Sequence, residues 1–294
     1  MKLVNNSVTY YQQEPGLEGM YKAIQKAAWV CYQTEKSKLS PKEFVENILL
    51  PKGHSRPLEF GTVYLTIPFN FTDQHRELTA RLTAFFNNNK FSMCTTDGQH
   101  LYVTTNFRVI MEGFSKDAET AIRTGYKDNL IDDMNIYWTE PTPHHPKRHM
   151  LFITASRGIC DEFKTHTAIS SLMESTRLCN YSAGKFNGEL TFIRPTGASA
   201  DKKIKAYERD EKDYLNMLAD GLHPQDARDV LPLGVKAEIV MCGFETDWYN
   251  LFFRRISTEA HPVINEISTI CKLLIQNTHQ KKNPYGVDPS VFIL

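Results

Sequence analysis

The stretch Cys160–Ser182 reads CDEFKTHTAISSLMESTRLCNYS, with many polar side chains around a few apolar ones. Its spacing predicts a helix that breaks into a loop. Apolar runs at residues 150–155 and 235–244 predict strands, and helical spacing predicts helices over residues 246–256 and 259–278. Helices and strands are thus mixed without a regular strand–helix–strand alternation, which favours an α+β fold over a doubly wound sheet.

The N-terminal half carries further local patterns. Apolar residues at helical spacing predict a helix over residues 17–33, and Ser40–Glu43 has the order of a capping box that begins a second helix. Residues 62–69 alternate apolar and polar, which predicts a strand with one buried face. Helical spacing also predicts helices over residues 72–86 and 105–130. Asp97-Gly98, between two β-prone runs, predicts a hairpin turn.

The composition excludes several classes of protein. The chain has 294 residues with 34 Lys+Arg and 34 Asp+Glu, so it lacks the charge of a nonspecific nucleic-acid binder. No apolar run reaches the roughly 18–20 residues of a membrane span, and the polar N-terminus does not resemble a secretory signal. The six cysteines include no CxxC pair, which indicates a reduced, cytoplasmic protein without disulfides or a zinc ribbon.

Common catalytic and nucleotide-binding motifs are missing. Neither GxxxxGK[ST] nor GxGxxG occurs, so a nucleotide would have to be held by side chains and helix ends. His144-His145 has no spaced partners, and we expect no metal site. Three groups of Arg, His, Ser and Asn residues remain as candidates. They are His54, Arg56 and Glu59; His166, Ser170, Ser175 and Arg177; and Arg228, Asn250, Arg254, Arg255 and His261.

These arginines have two interpretations. Arginine suits bidentate binding of phosphate or carboxylate. Arg254-Arg255 follows the apolar run Leu251–Phe253, and a buried arginine there would need an anionic partner. The alternative is that each arginine pairs with an aspartate or glutamate of the same chain. The residues alone leave both interpretations open and predict an α+β domain able to bind an anion.

The segment Thr165–Leu178 resembles the signature RHRxxSxNxxSxRY of flavin-dependent thymidylate synthases. His166, Ser170, Ser175 and Arg177 match it at the right spacing. Four more segments are similar to that family and occur in the expected order. They are Ala27–Tyr32, Gly53–Phe60 (compare GHxxPxEH/F), Ala227–Leu233 (compare ARxV/I-LPL) and Trp248–Pro262 (compare WxxFxxxR…AHP).

The resemblance covers residues 20–67 and 150–275. It implies a single domain over residues 1–294, with residues 68–149 as an insertion atypical of the family. The implied fold is α+β, with mixed helices around a mainly antiparallel sheet. The implied assembly is a homotetramer whose active sites are shared between subunits.

The resemblance also implies an activity. The family converts dUMP to dTMP, with methylenetetrahydrofolate as carbon donor and FAD, reduced by NADPH, as hydride source. No cysteine attacks the pyrimidine in this chemistry. The cysteines agree with this, because none lies in an obviously activated setting. The partners implied are a pyrimidine nucleoside monophosphate and other copies of the chain, with no nucleic acid and no membrane.

Five residues match nucleotide-side positions of the family. Arg177 and Arg228 match positions that hold the phosphate. Arg255 matches the donor at the pyrimidine edge, where it would stabilise charge developing on a ring oxygen. Ser175 matches a serine that orients the nucleotide, and Glu162 occupies the place of a polar residue near it. Arg255 and Ser175 are therefore the implied catalytic residues.

Five other residues match cofactor-side positions. His54 matches a histidine beside the flavin and the folate. His166 and Asn250 match flavin-contacting positions. Glu59 and Cys31 match such positions more weakly.

The chain departs from the signature where it has Thr165 and Thr167 in place of two arginines, and Leu178 in place of tyrosine. Losing two charged hydrogen-bond donors weakens anion binding unless other residues replace them. Two alternatives therefore stay open. One is a paralogue that methylates C5 of UMP or dCMP, and the other is a nucleotide-binding relative without turnover. The intact Ser175 and the arginines at the three matched positions argue against the second.

Overall fold

The computed structural model describes residues 1–34, 38–69, 80, 82–113, 137–278 and 291–293. Its strands and helices are mixed along the chain, which confirms the predicted α+β class. The strands are β1 (Lys2–Val4), β2 (Ser7–Tyr11), β3 (Thr62–Pro68), β4 (Met93–Thr96), β5 (His100–Asn106), β6 (Arg148–Ser156), β7 (Ser170–Met173), β8 (Thr191–Ile193), β9 (Lys236–Phe244) and β10 (Val291–Ile293). The helices are α1 (Gly16–Tyr32), α2 (Pro41–Phe44), α3 (Phe107–Gly113), α4 (Arg157–Lys164), α5 (Ala200–Ala219), α6 (Pro224–Ala227), α7 (Glu245–Arg255) and α8 (Pro262–Asn277).

The central sheet has the strand order β10-β2-β6-β9-β7, and every neighbouring pair is antiparallel. Helix α1 packs on one face of it, where Ala23, Ala27 and Val30 meet Met150 and Val240. Helices α4, α7 and α8 cover the other face and form a core there with alternate residues of the strands. The sheet is therefore covered by helices on both faces, and its strand ends are free to position a site.

Two smaller units flank this sheet. Strands β3, β5 and β4 form an antiparallel sheet, and Leu58 and Leu65 join its core to α1. The predicted hairpin turn at Asp97-Gly98 connects β4 to β5, and Gly98 has φ +88°, a conformation that favours glycine. In the second unit, β1 pairs with β8 in parallel, and both pack in one hydrophobic cluster with residues of α5 and α6.

Several local predictions are confirmed. Helix α1 ends within one residue of its predicted end, and α2 begins with the predicted capping box of Ser40 and Glu43. Strand β3 buries Val63, Leu65 and Ile67 on alternate positions. Residues 80, 82–87 and 107–113 are helical. Residues 105 and 106, predicted as the start of a helix, belong to β5. The other residues of the predicted helices 72–86 and 105–130 lie outside the described part of the chain.

One prediction is wrong in part. The stretch Cys160–Ser182 begins in helix α4 and leaves it after Lys164, as predicted, but Ser170–Met173 then forms strand β7 at the edge of the central sheet. The strand was missed because its two serines do not fit the apolar pattern that predicts a buried strand. The ladder with β9 and the buried side chains of Ile169 and Met173 stabilise it in the fold. This strand determines where the candidate site residues lie.

Candidate active site

Arg255, the last residue of α7, is held by four hydrogen bonds. Its Nε donates to Nε2 of His166 at 2.9 Å, and its NH1 donates to Oε2 of Glu162 at 3.1 Å. Its NH2 donates to the carbonyl oxygen of Glu162 at 3.2 Å and to Oγ1 of Thr165 at 3.0 Å. Glu162 and Thr165 lie at the C-terminal end of α4, where the helix dipole also favours a cation. The structure thus brings together three predicted site residues from two distant segments, Glu162 and His166 from one and Arg255 from the other.

His166 is neutral in this cluster. Burial, followed by the charges of Arg255 and Arg254, lowers its pKa from 6.5 to about 4. The hydrogen bond from Arg255 requires an unprotonated Nε2, so the proton of the neutral ring is on Nδ1. His166 therefore offers a neutral Nδ1–H donor at physiological pH.

The lowered pKa predicts a pH dependence of stability. Between about pH 6.5 and pH 4, the unfolded chain binds a proton at this histidine that the folded protein does not bind. The free energy of unfolding should therefore fall as the pH falls through this window and keep its full value above it. Urea unfolding at several pH values should show a shallower fall for His166→Gln. His144→Gln is the control for removal of a surface histidine, and equal slopes in His166→Gln and the wild type would contradict the prediction.

A second group of predicted residues surrounds the turn that follows β7. The amide of Ser175 donates to the carbonyl oxygen of Cys31 at 3.2 Å, which ties this turn to the end of α1. The next residue of α1, Tyr32, forms a hydrogen bond between its hydroxyl and Nδ1 of His54, and the two rings stack with centroids 5.9 Å apart. The end of α1 therefore joins Ser175 to His54.

Arg177 and Arg228 both have exposed side chains. Arg177 is exposed and has no hydrogen bond or ion pair with any described residue. Arg228 is exposed too, and its only ion pair in the described part of the chain is a 4.0 Å contact with its neighbour Asp229. Both flank one hydrophobic cluster, since Cys179 and Ala227 pack in it. These two side chains can therefore bind an external anion.

Glu59 and Asn250 are placed differently from the other predicted residues. Glu59 is 2% exposed, and its carboxylate accepts a hydrogen bond from NH1 of Arg108 at 2.7 Å. Its carboxylate is therefore engaged within the chain. Asn250 lies on the exposed side of α7, five residues before Arg255.

Strand β7 separates the two groups. Glu162 and His166, which bind Arg255, precede its first residue, and Ser175 and Arg177 follow its last. Four residues of strand span roughly 13 Å. A single chain therefore offers two half-sites at opposite ends of β7.

The cysteines do not offer an activated nucleophile. Burial raises the pKa of all six thiols, to about 12 at Cys160 and Cys179 and about 11 at Cys94. A thiol of raised pKa is mostly protonated at neutral pH and is a poor nucleophile.

Two contacts were not predicted. Thr165, which stands where the signature has arginine, accepts a hydrogen bond from Arg255. The hydroxyl of Tyr32 forms a hydrogen bond with His54. Tyr32 could have been found from the sequence, because it lies next to Cys31 in a segment that is similar to the family.

A cleft of about 510 Å³ lies beside α1. Its lining includes Tyr11, Trp29 and Phe152 and none of the predicted site residues.

The described residues contain neither a metal-binding cluster nor a membrane-spanning helix. Within the described ranges, no group of three His, Cys, Asp or Glu side chains is arranged to hold a metal ion. The same part of the chain contains no helix with the length and apolar character that crossing a membrane requires.

Comparisons with known proteins identify the family. The family model described as "Thymidylate synthase complementing protein" (Thy1) matches residues 93–281, which is more than half of the chain. The matched range includes residues 93–149, which belong to the stretch 68–149 that we predicted to be an insertion atypical of the family. The insertion therefore stays a prediction. A flavin-dependent thymidylate synthase of Sulfurisphaera tokodaii is 33% identical over 89 residues, which are 30% of this chain and 34% of that protein. The match thus spans about a third of the relative's length. On the family match, the chain belongs to the Thy1 family of thymidylate synthase complementing proteins.

Proposed function

We propose that this protein converts dUMP to dTMP as a flavin-dependent thymidylate synthase. Methylenetetrahydrofolate is the carbon donor, and FAD reduced by NADPH supplies the hydride that completes the methyl group. The observation that carries the proposal is the fixed guanidinium of Arg255, which matches the pyrimidine-side donor of the family and is held by Glu162, Thr165 and His166.

The proposed roles follow from the contacts. Arg255 is oriented before substrate arrives, so it stabilises negative charge on a pyrimidine oxygen without reorganising. Arg177 and Arg228 bind the phosphate, since both guanidinium groups are exposed. Ser175, with its amide bound to Cys31, orients the nucleotide. Burial of the cysteines agrees with a reaction that needs no thiolate.

The side chains also suit a flavin. The neutral His166 can donate to a ring acceptor, and the exposed His54 and Asn250 add polar groups. We place the flavin on these residues and on Cys31. Glu59 belongs to this set by resemblance. Because its carboxylate is bonded to Arg108, we propose that it stabilises the site without contacting the flavin.

We further propose that subunits of a homotetramer complete each active site. The two half-sites lie at opposite ends of β7, and a second copy can bring the Arg177 end of one chain to the Arg255 end of another. We assign the enzyme to the cytoplasm, where its six free cysteines would stay reduced.

The direct test is a substrate comparison with purified protein. We expect a yellow protein with flavin absorbance that forms dTMP from dUMP, methylenetetrahydrofolate and NADPH, measured by chromatography. UMP and dCMP should give no methylated product. Omitting NADPH or the folate should abolish the product.

The alternatives predict other outcomes. Product from UMP or dCMP, with none from dUMP, would identify a paralogue with another substrate. This alternative is considered because Thr165 and Thr167 replace two arginines of the signature. A colourless protein that takes up no added FAD would favour a relative without turnover and would refute the proposal.

A further inference from the structure

Glu174 connects strand β7 to the turn that carries Ser175. It is 1% exposed, and its backbone is bonded on both sides. Its amide donates to the carbonyl oxygen of Glu238 at 2.8 Å, and its carbonyl oxygen accepts from NH1 of Arg157 at 3.1 Å. The start of the turn is therefore fixed to both β9 and α4.

The carboxylate of Glu174 is bonded as well. Nζ of Lys236 donates to Oε2 at 2.8 Å, and the hydroxyl of Tyr181 donates to Oε1 at 2.8 Å. Burial would lower the pKa of Lys236, but Glu174 and Glu238 outweigh it and the pKa is raised, so the ammonium stays charged. Burial and then Glu174 raise the pKa of Tyr181 well above 10, so its hydroxyl keeps the proton that it donates.

The bond between Tyr181 and Glu174 closes a loop of eight residues. Within it, the carbonyl oxygen of Ser175 accepts from the amides of Leu178 and Cys179 at 3.1 and 2.9 Å. Arg177 is exposed at the top of this loop, although both ends are buried. The ring of Tyr181 also packs edge-on against the ring of Phe186, with centroids 4.7 Å apart.

We propose that the hydrogen bond from Tyr181 to Glu174, supported by Lys236, is a clamp that positions Arg177 for the nucleotide phosphate. The inference rests on the proposed role of Arg177 in phosphate binding. A long, exposed arginine loses conformational freedom when it binds an anion, and a fixed backbone at both ends of its loop reduces that loss. Tyr181 and Glu174 are thus positioning residues that act through Arg177.

Limited proteolysis tests the clamp without reference to activity. Trypsin cleaves after Arg177, and cleavage there requires the loop to open. Tyr181→Phe keeps the ring and removes only the donor, so cleavage after Arg177 should accelerate on the order of tenfold, the usual effect of one hydrogen bond to a charged group. Tyr207→Phe is the matched control, because Tyr207 packs in the same hydrophobic cluster without touching Glu174.

Steady-state kinetics test the positioning role. The KM for dUMP should rise about tenfold in Tyr181→Phe, with kcat and FAD affinity within about twofold of the wild type. Glu174→Gln removes the charge but keeps the shape, and we expect a rise in the same direction. Tyr207→Phe should match the wild type.

The outcomes separate the clamp from the proposed function. If the wild type does not use dUMP but Tyr181→Phe is still cleaved faster, the function fails and the clamp stands as a structural feature. Faster cleavage with an unchanged KM for dUMP overturns the positioning role. Unchanged cleavage and unchanged KM overturn the inference altogether.

Discussion

Arg255→Ala is expected to lower kcat for the proposed formation of dTMP by at least about 100-fold, the usual effect of removing a preorganised donor to a developing oxyanion. The guanidinium is held by His166, Glu162 and Thr165 before substrate binds, and none of these three partners is a cation that could take its place. The free energy of unfolding should fall by only about 1 kcal/mol, because Glu162 is 38% exposed and water can solvate the carboxylate that is left.

Arg254→Ala provides the control. It removes an arginine that is adjacent in sequence and exposed, and that also lowers the pKa of His166. We expect its kcat to stay within a few-fold of the wild type. Initial rates at saturating dUMP, with flavin absorbance and thermal melting on the same samples, check the comparison. Equal losses in both variants would show that charge near His166, and not the position of Arg255, supports the activity.

Local patterns were sufficient for much of the fold. The helical spacing of Met20, Ile24 and Ala27 predicted α1. The alternation of Val63, Leu65 and Ile67 predicted β3, and Asp97-Gly98 predicted the hairpin. In each case the physical cause lies within a few residues, because a helix or strand face must be buried and a tight turn needs a permissive backbone.

Strand β7 could not be predicted in this way. Ser170 and Ser171 do not resemble a buried strand, and the ladder that stabilises them comes from β9, about seventy residues further along the chain. The partners of Arg255 are equally distant, since Glu162 and His166 lie about ninety residues before it. The signature predicted most of the residues of the candidate site, but only the fold shows that they lie in two groups at opposite ends of β7.

Trp248→Ala is expected to have the largest effect on stability. Trp248 is fully buried in the core between α7 and the central sheet, and its Nε1 donates to the carbonyl oxygen of His149 at 3.2 Å. Truncation of a buried tryptophan leaves a cavity and costs about 3–5 kcal/mol of unfolding free energy. That is a third or more of the stability of many domains. Urea unfolding at pH 7.5 measures the loss.

The same change should also lower activity, because α7 carries Arg255 two turns after Trp248. Tyr249→Ala is the matched control, since Tyr249 is the next residue of α7 and is 42% exposed; its loss of stability should stay below about 1 kcal/mol. Trp248→Phe keeps much of the ring and loses the donor, so its loss should lie between the two. If Trp248→Ala were no less stable than Tyr249→Ala, α7 would not depend on this contact, and the position of Arg255 would have to be maintained by its own hydrogen bonds to α4.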